Sequence, residues 1–466
     1  MAKSKYNSLV KNIGIFTIGS FGSKIITFLM VPLYTAVLNT EDYGTVDLIS
    51  STAQLLMPIL ILSIQDATLR FSMDPQYNKN DVISTTINII IKGSILLIVG
   101  CLIVEMSNIF SLASMYYLFL IFSFILGSLN NCFNLYLKAK NIASVIVISG
   151  ILTTLITCIC NIMLLVVFKM GVNGYMISTI LGLFISVIYQ FIFGHIYRDF
   201  HIKRYKDLTK PMVKYSFPLI SNSIAWWINY TSDRYILTFM RGVAVNGIYS
   251  VAYKIPTILT TFQSIFYNAW SISAIAEFDK NDDDGFIGNN YTLYSFVSIA
   301  GCSFLLMINI PLASILYSGE YFIAWQSVPF LLVGTVFNGI AQFEGCLFAA
   351  IKKTKTVSFT TVAGAVVNTI CNFICVYFFG ALGAAFSTMF GYCVTWVLRT
   401  IFLRSFIKIK VQWGKHRIAI CCIIIQSFLA TLNIFTAAQI LIFIIILLLH
   451  KEYIIKIIKL IVKQVV

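Results

Sequence analysis

Two oppositely charged residues stand next to each other inside an apolar stretch of the sequence. Asp233 and Arg234 interrupt the segment WWINYTSDRYILTFM, whose other residues are mostly aromatic or aliphatic. At helical spacing, polar and aromatic side chains lie on the same face or beside it: Trp226, Asn229 and Tyr230. Such a pair either locks two helices together or contacts a polar ligand, and the sequence leaves both interpretations open.

Cations match or outnumber acids among the residues that could meet a ligand. Lys24 lies about thirteen residues from either end of an apolar segment, where its side chain reaches the lipid headgroups least easily. We expect Lys24, Arg234 and Lys254 to line a polar interior that they share with two acids, Asp47 and Asp233. Because lysine and arginine hold phosphate groups through charge-assisted hydrogen bonds, these residue types favour a phosphate-bearing anion.

The chain that must position these residues is strongly apolar. Of its 466 residues, 59% are hydrophobic and 11% are charged, and the mean hydropathy is +0.88. Apolar blocks of about 20 residues, enough to cross a bilayer as a helix, follow one another along the sequence. The sequence therefore predicts an all-α polytopic membrane protein, with spans near 11–38, 44–68, 82–104, 112–137, 142–168, 172–197, 214–239, 246–270, 289–312, 326–350, 356–378 and 380–403.

The last apolar run, 418–450, is either one long span or two short spans that turn near 431–433. With a cytoplasmic N-terminus, 27 of the 33 Lys and Arg residues fall on the cytoplasmic side. Four cations are placed within spans: Lys24, Lys92, Arg234 and Lys254. The basic tail stays cytoplasmic only if 418–450 crosses twice, which predicts about fourteen spans and cytoplasmic termini at both ends.

Two halves of the sequence repeat one pattern. GVNGYMISTILG (171–182) and GALGAAFSTMFG (380–391) share G-x2-G-x3-S-T-x2-G and lie 209 residues apart. NTEDYGTVDLISSTAQLL resembles GVAVNGIYSVAYKIPTIL at an offset of 203, which places Lys254 at the position of Ser51, on a polar stripe with Asp47 and Gln54. The repeat predicts two six-helix lobes of the same orientation, related by a pseudo-two-fold axis along the membrane normal. The predicted domains are an N-terminal lobe (1–197), a basic cytoplasmic linker (198–213), a C-terminal lobe (214–403), and a region with a basic loop, two further spans and a cytoplasmic tail (404–466).

Two segments carry a resemblance to a known family. TSDRYILTFMRGVAVNGIYSVAYKIP is similar to the signature of spans 7 and 8 in bacterial polysaccharide flippases, where a helix ending in Asp-Arg leads through an apolar turn into G-x-Y-x2-A. TIGSFGSKIITFLMVPLYTAVLNTEDYG resembles their first span and its E-x-Y-G turn. The chain thus resembles the Wzx-like branch of the multidrug/oligosaccharidyl-lipid/polysaccharide (MOP) superfamily, whose members share a MATE-like fold.

The resemblance implies an activity and roles for the charged residues. The implied activity moves an undecaprenyl-pyrophosphate-linked oligosaccharide from the cytoplasmic to the outer leaflet of a bacterial inner membrane, by alternating access coupled to Na⁺ or H⁺. The polymer would be an O-antigen, a capsule or another exopolysaccharide, with polymerase machinery as a partner.

Lys24, Arg234 and Lys254 would contact pyrophosphate or an acidic sugar. Span 1 carries a lone lysine, whereas paired charges are expected in the peptidoglycan-precursor branch, and this argues against lipid II. The polar residues of the interior are candidates for ion coupling: Asp47, Gln54, Trp226, Asn229, Tyr230 and Asp233.

Two rival functions would each require other residues than those in this sequence. A MATE-type multidrug antiporter shares the fold but moves cations, so its interior is expected to be acidic. A membrane-embedded glycosyltransferase or polysaccharide polymerase needs a catalytic domain or motif, but the segments between spans are short and no nucleophile–base or phosphate-binding motif stands at a credible spacing. We therefore predict that the protein is not an enzyme.

Several other features have simpler explanations. The acidic loop EFDKNDDDG (277–285) is expected to be a solvated cytoplasmic connector rather than a metal site. The net charge of +15 is explained by basic loops that face anionic lipid, so nucleic acid is not a predicted partner. The eleven cysteines show no disulfide or zinc spacing, and neither a metal nor a cofactor is predicted. All four histidines are expected to be solvated at cytoplasmic edges: His195, His201, His416 and His450.

Overall fold

The computed structural model of the chain describes residues 22–107, 113–201, 206–276, 278–434 and 436–454. Every regular element in these ranges is a helix, which confirms the predicted all-α class. Several predictions fall partly outside the described residues: the starts of the first span, of the span 112–137 and of the acidic loop 277–285, the middle of the basic linker, one residue of the run 418–450, and the cytoplasmic tail.

The chain forms two compact units, Met1–Thr231 and Ser232–Val466. The first unit contains α1 (Gly22–Val37), α2 (Thr40–Leu60), α3 (Ile64–Ser72), α4 (Lys79–Met106), α5 (Ser114–Ala139), α6 (Ala143–Asn161), a π-helical continuation (Ile162–Val167), α7 (Gly171–Phe193) and the short α8 (Ile196–Asp199). Helix α9 (Lys206–Arg241) begins in the first unit and ends in the second.

The second unit continues from α9 with a further set of helices. These are α10 (Val243–Ala252), α11 (Pro256–Ala276), α12 (Phe286–Met307), α13 (Asn309–Leu316), a 3₁₀ helix (Gly319–Gln326), α14 (Val328–Ala350), α15 (Thr354–Phe379), α16 (Ala381–Arg404), α17 (Trp413–Leu432) and α18 (Thr436–Leu449). Helix α14 is the most buried of the long apolar helices among the described residues, with 83% of its most apolar stretch buried.

Among the described residues, nine helices are long and apolar enough to cross a membrane, or ten if the bent pair α2 and α3 forms one span. The protein is therefore a multi-pass membrane protein. The count of fourteen spans stays a prediction.

The structure corrects the predicted span 44–68, which is not one straight helix. Helices α2 and α3 are bent by 57° at a short break. Pro58 lies in the last turn of α2, and Leu62 and Ser63 have positive φ angles of 55° and 49°. Because proline cannot donate to the helix ladder and left-handed residues cannot continue a right-handed helix, the chain turns here.

The predicted span 246–270 is also broken, between α10 and α11. The break covers three residues and contains Lys254, so this lysine does not lie within a continuous helix. Pro256 opens α11 and disfavours a helical conformation at the preceding residue. The proline of the segment KIP indicates a possible break in the sequence, although the aliphatic residues around it favour a single span.

The ambiguous run 418–450 contains two helices, α17 and α18. Leu432 ends α17, and Asn433 then adopts a left-handed conformation with φ 52° and ψ 43°. Asparagine tolerates this conformation better than most residues, and it ends helices in this way. The predicted turn near 431–433 is confirmed.

The repeated glycine motif has the same local structure at its two occurrences. Gly171 and Gly380 precede or open their helices with positive φ angles of 54° and 57°, which glycine adopts without strain. Seven residues later, Ser178 donates to the carbonyl of Gly174 at 2.7 Å, and Ser387 donates to that of Gly383 at 2.8 Å. This agreement supports the internal repeat.

Candidate functional site

The Asp233 carboxyl lies at the centre of a buried polar cluster in the second unit. The residue is 2% exposed. Its Oδ2 accepts hydrogen bonds from the hydroxyls of Tyr249 at 2.6 Å and Tyr253 at 3.0 Å, and Thr388 Oγ1 lies 3.3 Å away. Its Oδ1 accepts from the backbone N–H of Arg234 at 2.9 Å. Hydroxyl groups from α10, α16 and the break after α10, together with a backbone N–H of α9, thus converge on one carboxyl.

Arg234 directs its guanidinium to an aromatic ring. The guanidinium carbon lies 5.5 Å from the centre of the Tyr253 ring, a cation–π distance. Lys254 follows Tyr253 directly and is half-buried in the break between α10 and α11. The structure therefore brings Asp233, Arg234 and Tyr253 together, with Lys254 next to them in the chain.

The hydroxyl donors of this cluster were not predicted as site residues. Tyr249 was visible as the tyrosine of the G-x-Y-x2-A motif, and Thr388 as the threonine of the repeated glycine motif. The first motif indicates a family resemblance and the second an internal repeat, but neither motif identifies a contact. Their convergence on Asp233 depends on the packing of helices that are distant in sequence.

The predicted polar face of α9 is divided in the structure. Asn229 is buried, with 6% exposure, whereas Trp226 and Tyr230 are 37% and 39% exposed. Their two rings stack with centroids 5.5 Å apart. The neighbouring Trp227 donates its indole N–H to the carbonyl of Ser51 at 2.9 Å, which ties α9 to α2 inside the first unit.

The residues of the predicted polar stripe on α2 also differ in exposure. Ser51 is buried, Asp47 is half-buried and Gln54 is exposed. Lys24 is exposed near the start of the described part of α1. The roles of these residues stay predictions.

Two histidines contradict the prediction that all four are solvated. His416 on α17 is 3% exposed, and His450 after α18 is 4% exposed. The His416 ring lies 5.5 Å from that of Tyr291, and the His450 ring stacks on Phe296 at 5.0 Å. The prediction was wrong because a position at the end of an apolar run does not reveal whether a neighbouring helix covers it.

The acidic loop is only partly solvated, which is a second correction. Asp282 is fully buried, and its carboxylate accepts from the backbone N–H groups of Ile287, Gly288 and Lys410 at 2.9–3.0 Å. The carboxylate thus caps α12 and fastens the loop to the segment before α17. Asp279 remains exposed, and backbone N–H groups of Asp283 and Asn281 lower the pKa of its carboxyl.

Arg399 is a buried cation that the charge count did not place within a span. It lies in α16 with 3% exposure. Sequence position near the end of a span suggested a cytoplasmic location, but the side chain is enclosed by α14 and α15.

A family model described as polysaccharide biosynthesis protein matches residues 9–271, more than half of the chain. Two curated relatives are similar over part of their length. The probable low-salt glycan biosynthesis flippase Agl15 of Haloferax volcanii is 22% identical over 209 residues, which cover 44% of this chain and 44% of the relative. The uncharacterized membrane protein MJ1068 of Methanocaldococcus jannaschii is 23% identical over 263 residues, 53% of this chain and 51% of that protein. The chain thus spans about half the length of the curated relatives that it matches.

Solved structures match over most of the chain. The lipid II flippase MurJ in an inward closed conformation has a TM-score of 0.71 at 16% identity, and the match covers 95% of this chain and 99% of that chain. An inward-facing MATE family transporter of the MOP superfamily has a TM-score of 0.64 at 12% identity, with 84% and 97% covered. These matches show that the chain shares the fold of MurJ and of this MATE family transporter. The family match establishes that the chain belongs to the polysaccharide biosynthesis protein family.

Proposed function

We propose that the protein is a flippase of glycan biosynthesis, a transporter rather than an enzyme. The match of residues 9–271 to the polysaccharide biosynthesis family is the observation that carries this proposal. The MOP-superfamily fold and the similarity to a named glycan flippase support it. The buried polar cluster around Asp233 gives such a transporter a membrane-embedded site at which an ion can act.

The proposed substrate is an undecaprenyl-pyrophosphate-linked oligosaccharide, the repeat unit of an O-antigen, capsule or other exopolysaccharide. Lys24, Arg234 and Lys254 are the proposed contacts of its anionic headgroup. A guanidinium and an ammonium group suit phosphate oxygens. In the second unit, the Arg234 guanidinium lies against the Tyr253 ring, and Lys254 follows Tyr253 in the chain. A MATE-type antiporter of organic cations would gain nothing from these positive charges.

The proposed driving force is a gradient of Na⁺ or H⁺, with Asp233 as the principal coupling residue. The carboxylate and the three hydroxyl oxygens around it are ligands that a small hard cation prefers. A proton would bind the same carboxyl directly. Asp47, Gln54, Trp226, Asn229 and Tyr230 remain proposed polar residues of the transport path.

The proposed setting is a bacterial inner membrane, with both termini in the cytoplasm and polymerase machinery as a functional partner. The boundaries 1–197, 198–213, 214–403 and 404–466 are the proposed division into lobe, linker, lobe and C-terminal spans.

Complementation tests this function. The protein is expressed in a host that lacks its polysaccharide flippase, and polymer display and membrane levels are measured together. We expect display to return with the wild-type protein. If wild-type protein accumulates in several such hosts without restoring display, but confers resistance to cationic drugs, the antiporter function replaces the proposed one.

A further inference from the structure

A second buried polar cluster lies in the second unit, around the Glu344 carboxyl on α14. Glu344 is 0% exposed. Thr400 on α16 donates to Glu344 Oε1 at 2.7 Å, and the Tyr291 hydroxyl on α12 is 3.4 Å from the same oxygen. The other oxygen, Oε2, has no hydrogen-bond partner. Within the described ranges, no ion pair closer than 4 Å involves this carboxyl.

The guanidinium of Arg399 lies close to this carboxyl but makes its hydrogen bonds elsewhere. Its Nε donates to Thr360 Oγ1 at 3.1 Å, its Nη2 donates to Thr361 Oγ1 at 2.7 Å, and its Nη1 donates to the carbonyl of Ala341 at 2.6 Å. These bonds fix a positive charge between α14, α15 and α16. The charge can stabilise a carboxylate at Glu344 without neutralising it by direct contact.

The first unit shows that the fold does not require charge at this position. The repeat offset of 209 places Arg399 at the position of Gln190 on α7. Gln190 is also fully buried, and its side-chain amide donates to Ser149 at 2.8 Å and to Asn130 at 2.7 Å. The neutral amide of Gln190 therefore joins α5, α6 and α7 in the first unit. In the second unit, the guanidinium of Arg399 joins α14, α15 and α16 at the same repeat position, and a carboxyl lies near it. Since buried charges are costly, the charged version calls for a function beyond packing.

Polar groups lead from this carboxyl to a small cavity near the start of α17. The Tyr291 hydroxyl faces Glu344, and the Tyr291 ring is 5.5 Å from the ring of His416. His416 is 3% exposed, and its Nε2 has no hydrogen-bond partner. The same histidine lines the cavity together with Thr292, Lys415 and His450. A tyrosine hydroxyl, an imidazole and a bridging water can pass a proton along such a route.

We propose that Glu344 is a proton-binding site of the transport cycle, loaded and emptied through Tyr291 and His416. In the conformation described, the carboxyl holds a proton because it is buried and has only one short hydrogen bond. In another state of the cycle the O–H bond breaks, the proton leaves toward His416 and the cavity, and the carboxylate that remains is stabilised by Arg399. The titratable and charged groups that face Glu344 are Tyr291 from α12 and Arg399 and Arg404 from α16. His416 lies beyond Tyr291, and the cavity that it lines is also bordered by Lys415, His450, Glu452 and Tyr453. This inference rests on the proposed transport function and names one coupling ion for it.

Infrared spectroscopy of the full-length protein in lipid nanodiscs tests the proton site without a substrate. We expect a C=O stretching band of a protonated carboxyl at neutral pH, absent in Glu344→Gln and retained in Glu320→Gln, which alters an exposed glutamate in the same way. In Arg399→Gln, the residue type found in the other half, the band should persist to higher pH. The reason is that loss of the positive charge disfavours the carboxylate. A neutral-pH spectrum that Glu344→Gln leaves unchanged would overturn the proposal.

Transport measurements test whether the proton is used. Glutamine keeps an oxygen that accepts from Thr400, so a purely structural Glu344 predicts near-normal polymer display for Glu344→Gln. A proton-binding role predicts normal accumulation but display lowered by about 5- to 150-fold, the usual range of coupling between two ligands. Wild-type activity of a well-folded Glu344→Gln protein would refute the role in transport. If wild-type protein fails to complement, the proposed flippase function fails, while the infrared titration still decides whether Glu344 binds a proton.

Discussion

Asp233→Asn is the perturbation that most directly tests ion coupling. The substitution keeps the size of the side chain and one carbonyl oxygen that can accept a hydrogen bond, but it removes the negative charge. Two short hydrogen bonds are affected, from Tyr249 at 2.6 Å and Tyr253 at 3.0 Å, whereas the contact with Thr388 at 3.3 Å is long enough to contribute little. The change therefore removes the charge and, with the amide NH2 group in the place of Oδ1, the acceptor of the Arg234 backbone N–H at 2.9 Å.

The expected magnitude follows from these two bonds. A hydrogen bond to a charged group contributes about 1.5–3 kcal/mol and a neutral one about 0.5–1.5 kcal/mol, so each bond weakens by about 1–1.5 kcal/mol. The weakening of both bonds would cost about 2–3 kcal/mol if Asp233 is charged, and little if it carries a proton throughout. Tyr249→Phe, which removes the shorter bond altogether, should cost about 1.5–3 kcal/mol if Asp233 is charged.

The decisive assay is thermal unfolding of the protein in nanodiscs at increasing Na⁺ concentration and at several pH values. A bound cation at 100 times its Kd stabilises the folded protein by about 2.7 kcal/mol, so the wild-type midpoint should rise with the coupling ion. Asp233→Asn should abolish this rise. Asp283→Asn, which alters an exposed aspartate of the acidic loop, should preserve it. An undiminished rise in Asp233→Asn would show that the cation binds elsewhere.

Three further predictions concern the charged residues and the topology. Exchange of Asp233 and Arg234 should abolish polymer display while the protein still accumulates, because the three hydroxyl donors around position 233 suit a carboxylate; a fully active exchange variant would return the pair to a packing role. Lys24→Ala and Lys254→Ala should each weaken headgroup binding about ten- to a hundredfold, since each contact with a charged group contributes about 1.5–3 kcal/mol. The matched Lys→Arg variants should keep a good part of the transport in the complementation assay, and normal activity in both alanine variants would remove these lysines from the mechanism. Reporter enzymes fused after Lys206 and after Val466 should both report a cytoplasmic location, and a periplasmic signal from the second fusion would contradict the fourteen-span topology.

The fold class could be predicted from sequence because the bilayer imposes one requirement on every segment. A run of about 20 apolar residues must be helical, since lipid offers no partners to the backbone. The breaks were harder to predict. Pro58 and Pro256 signal local distortion, yet proline also occurs within continuous membrane helices when neighbouring groups satisfy the freed carbonyls. Only the structure shows that the chain turns by 57° after Leu60 and breaks around Lys254.

The candidate site could be predicted along one helix but not across helices. The helical spacing of residues 226–234 predicts that Asp233 lies on a polar face, and the repeat offset predicts that Lys254 lies on the stripe of Asp47 and Gln54. Helical spacing says nothing about which distant helix lies opposite, so Tyr249 and Thr388 were not assigned to Asp233. The same limit hid the burial of His416, whose neighbours come from other helices.

The two buried carboxyls of the second unit differ in a way that bears on their ligands. Asp233 has two short hydroxyl donors, a longer third and a backbone N–H, whereas Glu344 has one short donor and a bare oxygen. Each donated hydrogen bond stabilises a carboxylate relative to the neutral acid, so the Asp233 surroundings favour the charged form, which a metal cation requires, more than the Glu344 surroundings do. The Glu344 surroundings suit a neutral acid, and the only nearby positive charges belong, among the described residues, to arginines on α16.

Movement of α16 relative to α14 would therefore change the protonation of Glu344, and the same helix carries Thr388 to Asp233. If both proposals hold, α16 links the two carboxyls, and Glu344→Gln should change the Na⁺ or pH dependence measured at Asp233. Identical ion titrations of wild type and Glu344→Gln would show that the two sites act independently.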